Sequence, residues 1–172
     1  MLFRSAIRGA DPVLFFEPKM LYADKGEVPD DPDFAVPLGE ARVAREGHDV
    51  TVIAVGIMVK HALAAAEQLT EDDISVEVVD PRTLVPLDKQ TLIDSVAKTS
   101  RVVVAHEAHL RSGPGAEIAA MLAEEAIEYL DGPIVRVGAK NVPLPYNPAL
   151  ENYVLPAASD IVRAVKSFWG KA

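Results

Sequence analysis

The spacing of hydrophobic positions changes several times along this chain, and each change marks an element. Leu2, Phe3, Ala6 and Ile7 share one face of a short helix, and the unbroken apolar run Val13 to Phe16 has the form of a fully buried strand. Such a strand needs neighbours on both edges, and nothing before it can supply them. Residues 1–17 therefore read as the remnant of an upstream domain. Residues 18–39 carry four prolines, several acids and only scattered apolar side chains, which is the profile of a linker.

From residue 40 the pattern becomes regular. Residues 41–45 and 50–55 are strand-like and separated by the turn Glu46 to Asp49. A parallel crossover needs about ten or more residues, so these two strands are antiparallel if they are neighbours. Val59, Ala62, Leu63, Ala66 and Leu69 then recur at helical spacing, followed by a strand at 74–79. Leu92, Ile93 and Val96 line the next helix, with Asp88 as its N-cap and Leu87 stapled onto Leu92. A strand at 101–105 leads to a long helix marked by Ile118, Met121, Leu122, Ala126 and Tyr129, and Pro133 to Val137 form the last strand. Ser159 caps a terminal helix whose inner face holds Ile161, Val162, Val165, Phe168 and Trp169. Strands alternating with helices predict a three-layer α/β/α domain over residues 40–172, built on a mainly parallel sheet with one antiparallel edge strand.

Composition narrows the function. With 172 residues and 49% hydrophobic content, the chain fits one ordinary domain plus an appendage, burying roughly 70% of its unfolded surface. A net charge of -9 without any basic run argues against nucleic acid and suits a basic protein partner or plain solubility. The absence of cysteine removes disulfides, thiolate metal sites and cysteine nucleophiles. No segment has the length and apolarity of a membrane span, nor the profile of a signal peptide, so a cytoplasmic location is expected.

Candidate chemistry gathers where open α/β sheets keep it, beyond the carboxyl ends of the strands. The dense polar set there is Asp80, Arg82, His106, Glu107, His109 and Arg111, followed by Gly113, Pro114 and Gly115. Gly113 and Gly115 flank a helix start whose free N–H groups suit an anion; equally, they serve a tight turn and close packing. His106 and Glu107 are a candidate acid/base pair, against the simpler reading of a structural histidine at a strand end. Arg82, between Asp80 and Asp88, is placed to orient a loop by ion pairing. Gly56 stands alone after its strand, which disfavours a dinucleotide fold.

Five segments in order carry a family resemblance: VLFFEPKMLY (13–22), VPLGEARVAREGHDVTVIAVG (36–56), VEVVDPRTLVPLD (76–88), RVVVAHEAHLRSGPGAEIA (101–119) and VPLPYNPALENYVLP (142–156). Together they resemble the carboxy-terminal half of the beta subunit of thiamine-diphosphate-dependent 2-oxo acid dehydrogenases, and Phe15-Phe16-Glu17-Pro18-Lys19 looks like the branched-chain, 2-oxoisovalerate type. The resemblance implies a transketolase C-terminal domain with a five-stranded mixed sheet and an antiparallel first strand. It implies oxidative decarboxylation of a 2-oxo acid with acyl transfer to a lipoyl group, using thiamine diphosphate and magnesium held outside this chain, so that the chain alone is expected to be inactive. It implies an alpha subunit and a second beta subunit as partners in an α2β2 assembly, and docking to the subunit-binding domain of the acyltransferase. A eukaryotic source would place it in the mitochondrial matrix. A structural potassium ion on main-chain carbonyls would involve Ala6, Gly9 and Asp11. Arg111, Ser112 and Pro114 depart from the family's usual residues around Gly113. Two other readings stay open: a pyruvate, acetoin or more distant branch of the same family, and an autonomous anion- or nucleotide-binding regulatory domain using the turn at Gly113 to Gly115.

Overall fold

Strand residues alternate between the two faces of a sheet, and here both faces are apolar, so helices must cover both. The computed structural model, which describes residues 2–170, has that arrangement. Met1, Lys171 and Ala172, at the outer ends of the expected remnant and lobe, lie outside the described residues. In chain order the elements are α1 (Leu2–Arg8), β1 (Arg42–Arg45), β2 (Val50–Ala54), α2 (Met58–Thr70), β3 (Val76–Asp80), α3 (Lys89–Thr99), β4 (Val102–His109), α4 (Pro114–Glu125), β5 (Val135–Ala139), α5 (Pro148–Val154) and α6 (Ala158–Lys166). The strands form one five-stranded sheet in the order β1-β3-β2-β4-β5, with β1 antiparallel to β3 and the other pairs parallel. No helix among the described residues is long and apolar enough to cross a membrane.

Two cores result from the alternation. Val50, Val52, Ala54, Val76, Val78, Val103 and Ala105 point to the face covered by α2 and α6, where Ala62, Ala66, Leu69, Ile161 and Val165 meet them. Ile53, Val79, Val102 and Val104 point the other way, onto Leu92 and Val96 of α3 and Ile118, Met121 and Leu122 of α4. Phe168 and Trp169 pack against the first core, with their rings edge to face at 6.3 Å and the Arg101 guanidinium 5.1 Å from the Trp169 centroid. The α3 cap is as expected: the Asp88 carboxylate accepts from Thr91 N (3.2 Å) and Thr91 Oγ1 (2.7 Å), and also from Ala41 N (2.8 Å).

Several expectations are corrected. The antiparallel edge strand is present, but its partner is β3 rather than β2. The turn after β1 crosses the start of β3, where His48 N and Asp49 N donate to Ser75 O, and Gly47 lies so close that a Cβ there would be 2.2 Å from Glu77 N. Val13 to Phe16 are not a strand, and Leu14 and Phe16 are each 86% exposed. Without a sheet edge beside them they have no ladder to join. α1 buries no residue; Phe3 meets Phe15 edge to face at 5.3 Å, and the polar side of the helix is tied to the 31–36 segment by Arg4 N–H donation to Phe34 O (3.1 Å) and by Ser5 Oγ donation to Val36 O. Leu63, expected inside, is 37% exposed beside the edge strand. The helix expected to run to Tyr129 ends at Glu125 and tightens into a 3-10 turn at Ile127–Tyr129. Ser159 does not cap α6; the Asp160 carboxylate reaches back to Ala157 N at 2.9 Å. α5 has no counterpart among the periodic segments, although Asn147 followed by Pro148 is a legible start: the Asn147 side chain accepts from Ala149 N (2.9 Å) and Pro148 fills the first turn.

Candidate functional site

Because β2 lies between β3 and β4, the polar set read from the sequence does not converge. Arg82 follows β3 and His106 sits on β4, so roughly 10 Å of sheet separates their strands. Arg82 has positive φ (57°) and its backbone N–H donates to Asp80 Oδ1 at 2.9 Å. Among the described residues it makes no ion pair, so this turn is held by a backbone bond instead of the expected ion pairing. Burial raises the Asp80 carboxyl above its ordinary value, against the opposing Arg82 N–H bond and the charges of Arg82 and Arg42.

His106 and Glu107 are also divided. His106 is 1% exposed and packed against Gly115 of α4, whereas Glu107 is exposed to solvent and partners neither nitrogen of the ring. A proton relay between them has no geometric basis.

What converges instead is a set of glycines on the His106 ring. β4 bulges against β5: Ala105 pairs with Val137 and His109 with Ala139, so four steps on one strand match two on the other. The imidazole lies against the first turn of α4. A Cβ on Gly115 would stand 2.3 Å from His106 Cδ2 and 2.5 Å from Nε2; one on Gly113 would stand 2.7 Å from Cε1; one on Gly138 of β5 would stand 2.9 Å from Cε1. No side chain fits at any of these three positions. Neither ring nitrogen meets a partner in hydrogen-bond geometry. Burial pushes the imidazole below its ordinary value, against an opposing pull from the Ala108 backbone and with a further push from the Arg136 charge. Gly113 and Gly115 thus bring backbone against the ring. Gly138 opens one of the segments at the strand ends, Gly138 to Lys140, and an isolated glycine inside a strand is the usual signal of a bulge or close approach.

Around this centre the end of β4 and the turn after it, Glu107 to Ser112, are largely exposed and pinned at a few points. His109 Nε2 is 3.0 Å from Val142 O, and Arg136 Nη1 donates to Leu110 O at 2.9 Å. A cleft of about 440 Å³ lies beyond β5, lined in part by Lys140, Tyr153, Asp160 and Arg163. Its cations are engaged: Lys140 Nζ is 3.0 Å from the Tyr153 ring centroid and Arg163 pairs with Asp160 at 3.1 Å.

Ala6 lies in the last full turn of α1, with Gly9 and Asp11 exposed just beyond it. Carbonyls at a helix C-terminus lack intrahelical partners, and oxygen donors of that kind suit a hard monovalent cation. These three residues alone do not enclose one. Among the described residues no group of three or more His, Asp or Glu side chains converges as a metal site. The crevice at the end of β2 is partly covered from within: Pro18 packs over Gly56, and Lys60 pairs with Asp24 at 2.8 Å.

The family model described as "Transketolase, C-terminal domain" matches residues 39–161. The chain is 42% identical to the beta subunit of the pyruvate dehydrogenase E1 component of Rhizobium meliloti, over 96% of this chain and 36% of that protein. It is 44% identical to the beta subunit of the acetoin:2,6-dichlorophenolindophenol oxidoreductase of Bacillus subtilis, over 99% of this chain and 49% of that one. A solved structure, a split gene transketolase described as an inactive beta4 tetramer, superposes with a TM-score of 0.69 at 36% identity, covering 84% of this chain and 46% of its own. The chain therefore spans half or less of the length of these relatives. The mixed sheet with its antiparallel edge strand and the match over most of the sequence agree, and the chain belongs to the transketolase C-terminal domain family.

Proposed function

We propose that this chain works as the carboxy-terminal lobe of the beta subunit of a 2-oxo acid dehydrogenase, and that its task is assembly rather than chemistry. The observation that carries this reading is the near-complete coverage of the chain by beta subunits twice its length or more. The 86% exposure of both Leu14 and Phe16 supports it, since apolar side chains in such a run suit a covered position in a larger assembly. Residues 1–17 then belong with an upstream pyrimidine-binding domain, 18–39 link it to the lobe, and the sheet domain follows over 40–172.

In the whole enzyme the bond between the carboxyl and carbonyl carbons of the 2-oxo acid breaks, carbon dioxide leaves, and the acyl group passes to a lipoyl acceptor. Thiamine diphosphate, with magnesium, supplies the electron sink for that cleavage and sits outside this lobe. The partners are an alpha subunit, a second beta subunit and the subunit-binding domain of the acyltransferase, to which an acidic chain of net charge -9 is suited. Ala6, Gly9 and Asp11 would contribute part of a potassium site completed by other segments.

Phe15-Phe16-Glu17-Pro18-Lys19 supports a branched-chain acid as substrate. The names of the relatives, pyruvate and acetoin, support a smaller substrate equally well and favour this as the second reading. Reconstitution separates them. The chain, joined to a beta amino-terminal half and mixed with an alpha subunit, thiamine diphosphate and magnesium, should release carbon dioxide from 2-oxoisovalerate or pyruvate, or oxidise acetoin with dye reduction. Decarboxylation by the 172-residue chain alone, or failure to associate with those subunits, defeats the proposal.

A further inference from the structure

We infer that His106 is a proton-operated latch: as a neutral ring it locks the loop Glu107 to Ser112 and the first turn of α4 onto the sheet, and on gaining a proton it must leave its cage and release them. The geometry behind this is the three-sided enclosure. Backbone at Gly113, Gly115 and Gly138 approaches the ring so closely that a single added carbon would lie between 2.3 and 2.9 Å from it. The ring is 1% exposed and neither nitrogen has a partner. A neutral imidazole leaves one donor and one acceptor unsatisfied there; an imidazolium leaves two charged donors, at greater cost.

The charged groups and the helix end facing the ring oppose protonation, and the Ala108 backbone is the one group that favours it. From β5, Arg136 contributes a positive charge and holds the loop through Leu110 O. From α4, the helix presents its positive N-terminal end, and its first acid, Glu117, is exposed on the outer surface. On β4 itself, Glu107 is exposed and partners neither ring nitrogen, and His109 is engaged with Val142 O. No carboxylate is in place to stabilise a cation. The lowered basicity caused by burial agrees with this.

The parts that would yield are also identifiable. β4 is paired with β2 and β5 as far as Ala105 and rejoins β5 at His109, opposite Ala139, where Leu110 N donates to Ala139 O at 3.2 Å. Between these points the strand bulges, Ser112 sits at positive φ (58°), and Glu107, Ala108, His109 and Arg111 are exposed. Opening the turn costs little core, whereas holding a charged ring in place costs much. The sign follows: the latch is closed above the ordinary histidine range and loosens as pH falls through and below it.

Residue-resolved NMR of the full chain tests this, following the His106 ring separately from His48, His61 and His109, together with amide exchange corrected for intrinsic rates. Between about pH 7.5 and about pH 5.5, exchange at Gly115 and Ala116 should accelerate by about tenfold, because only the opened ring takes up a proton at the ordinary histidine value while the caged ring stays neutral, and Val52 in the central strand should stay protected. His106→Leu should abolish the step. Exchange at Gly115 and Ala116 that does not change over this range, a ring that titrates at the ordinary value with the turn still protected, acceleration at Val52 in parallel, or an unchanged step in His106→Leu would each overturn the latch. If His106→Leu fails to fold, the comparison of Gly115 with Val52 in the unaltered chain decides alone.

Discussion

At the residue scale, the three glycines around His106 do what larger residues cannot. Gly113 and Gly115 were readable as a helix start that serves either an anion or close packing, and the structure puts backbone against an imidazole there. What the sequence could not reveal was the object being approached, because Gly138 and His106 meet only through the pairing of β4 with β5. The expected cost is specific. Gly115→Ala should lower stability by about 1–3 kcal/mol, as inserted carbons do in filled interiors, measured by urea unfolding at neutral pH. Combining it with His106→Ala, which vacates the space the new carbon needs, should recover most of that loss. Additive losses in the double variant would mean that the glycine is needed for its backbone and not for the ring.

At the element scale, caps and turns decide how the segments join. Asp88 was legible as the α3 cap, but its second role was not. The same carboxylate accepts from Ala41 N and so ties the entry to the edge strand to a helix on the far side of β3. Although burial acts to raise it, the bonds from Ala41 and Thr91 hold the Asp88 carboxyl below its ordinary value. A carboxyl held low contributes stability that is present above its unfolded value and is lost as pH falls through its folded one. Asp88→Ala should therefore cost about 1 kcal/mol near neutrality, and the difference from the parent should shrink toward zero in acid when the two unfolding curves are compared. A difference independent of pH would assign the effect to lost packing. The turn after β1 teaches a related lesson. Its length excludes a parallel link, but length says nothing about which strand it crosses, and Gly47 passing over the start of β3 settles that. Buried Glu77, joined to Lys98, Ser95 and Gly47 N, sits directly beneath this crossing and gives the strand interior a charge that alternation alone would have made apolar.

At the scale of the whole molecule, the sheet and its two cores are self-contained, whereas the segment before Lys19 is not. Leu14 and Phe16 contribute almost nothing to burial here, so replacing both with serine should change stability by no more than about 0.5 kcal/mol. In the proposed assembly the same pair should weaken association with the upstream half or its partner subunits by about tenfold or more, read by sedimentation of the mixture. Unchanged association would remove these residues from the interface. The order of helices and strands, the two-sided burial of β2 to β4 and the antiparallel sense of β1 were all legible from the sequence, because periodicity and loop length act locally along the chain. Which strands are neighbours, that Arg82 stands apart from His106, that Glu107 is exposed while His106 is buried, and that Val13 to Phe16 find no sheet edge were decided only in three dimensions. Those outcomes depend on contacts between residues far apart in sequence, and the hydrophobic pattern constrains such contacts to a face without naming the partner on it.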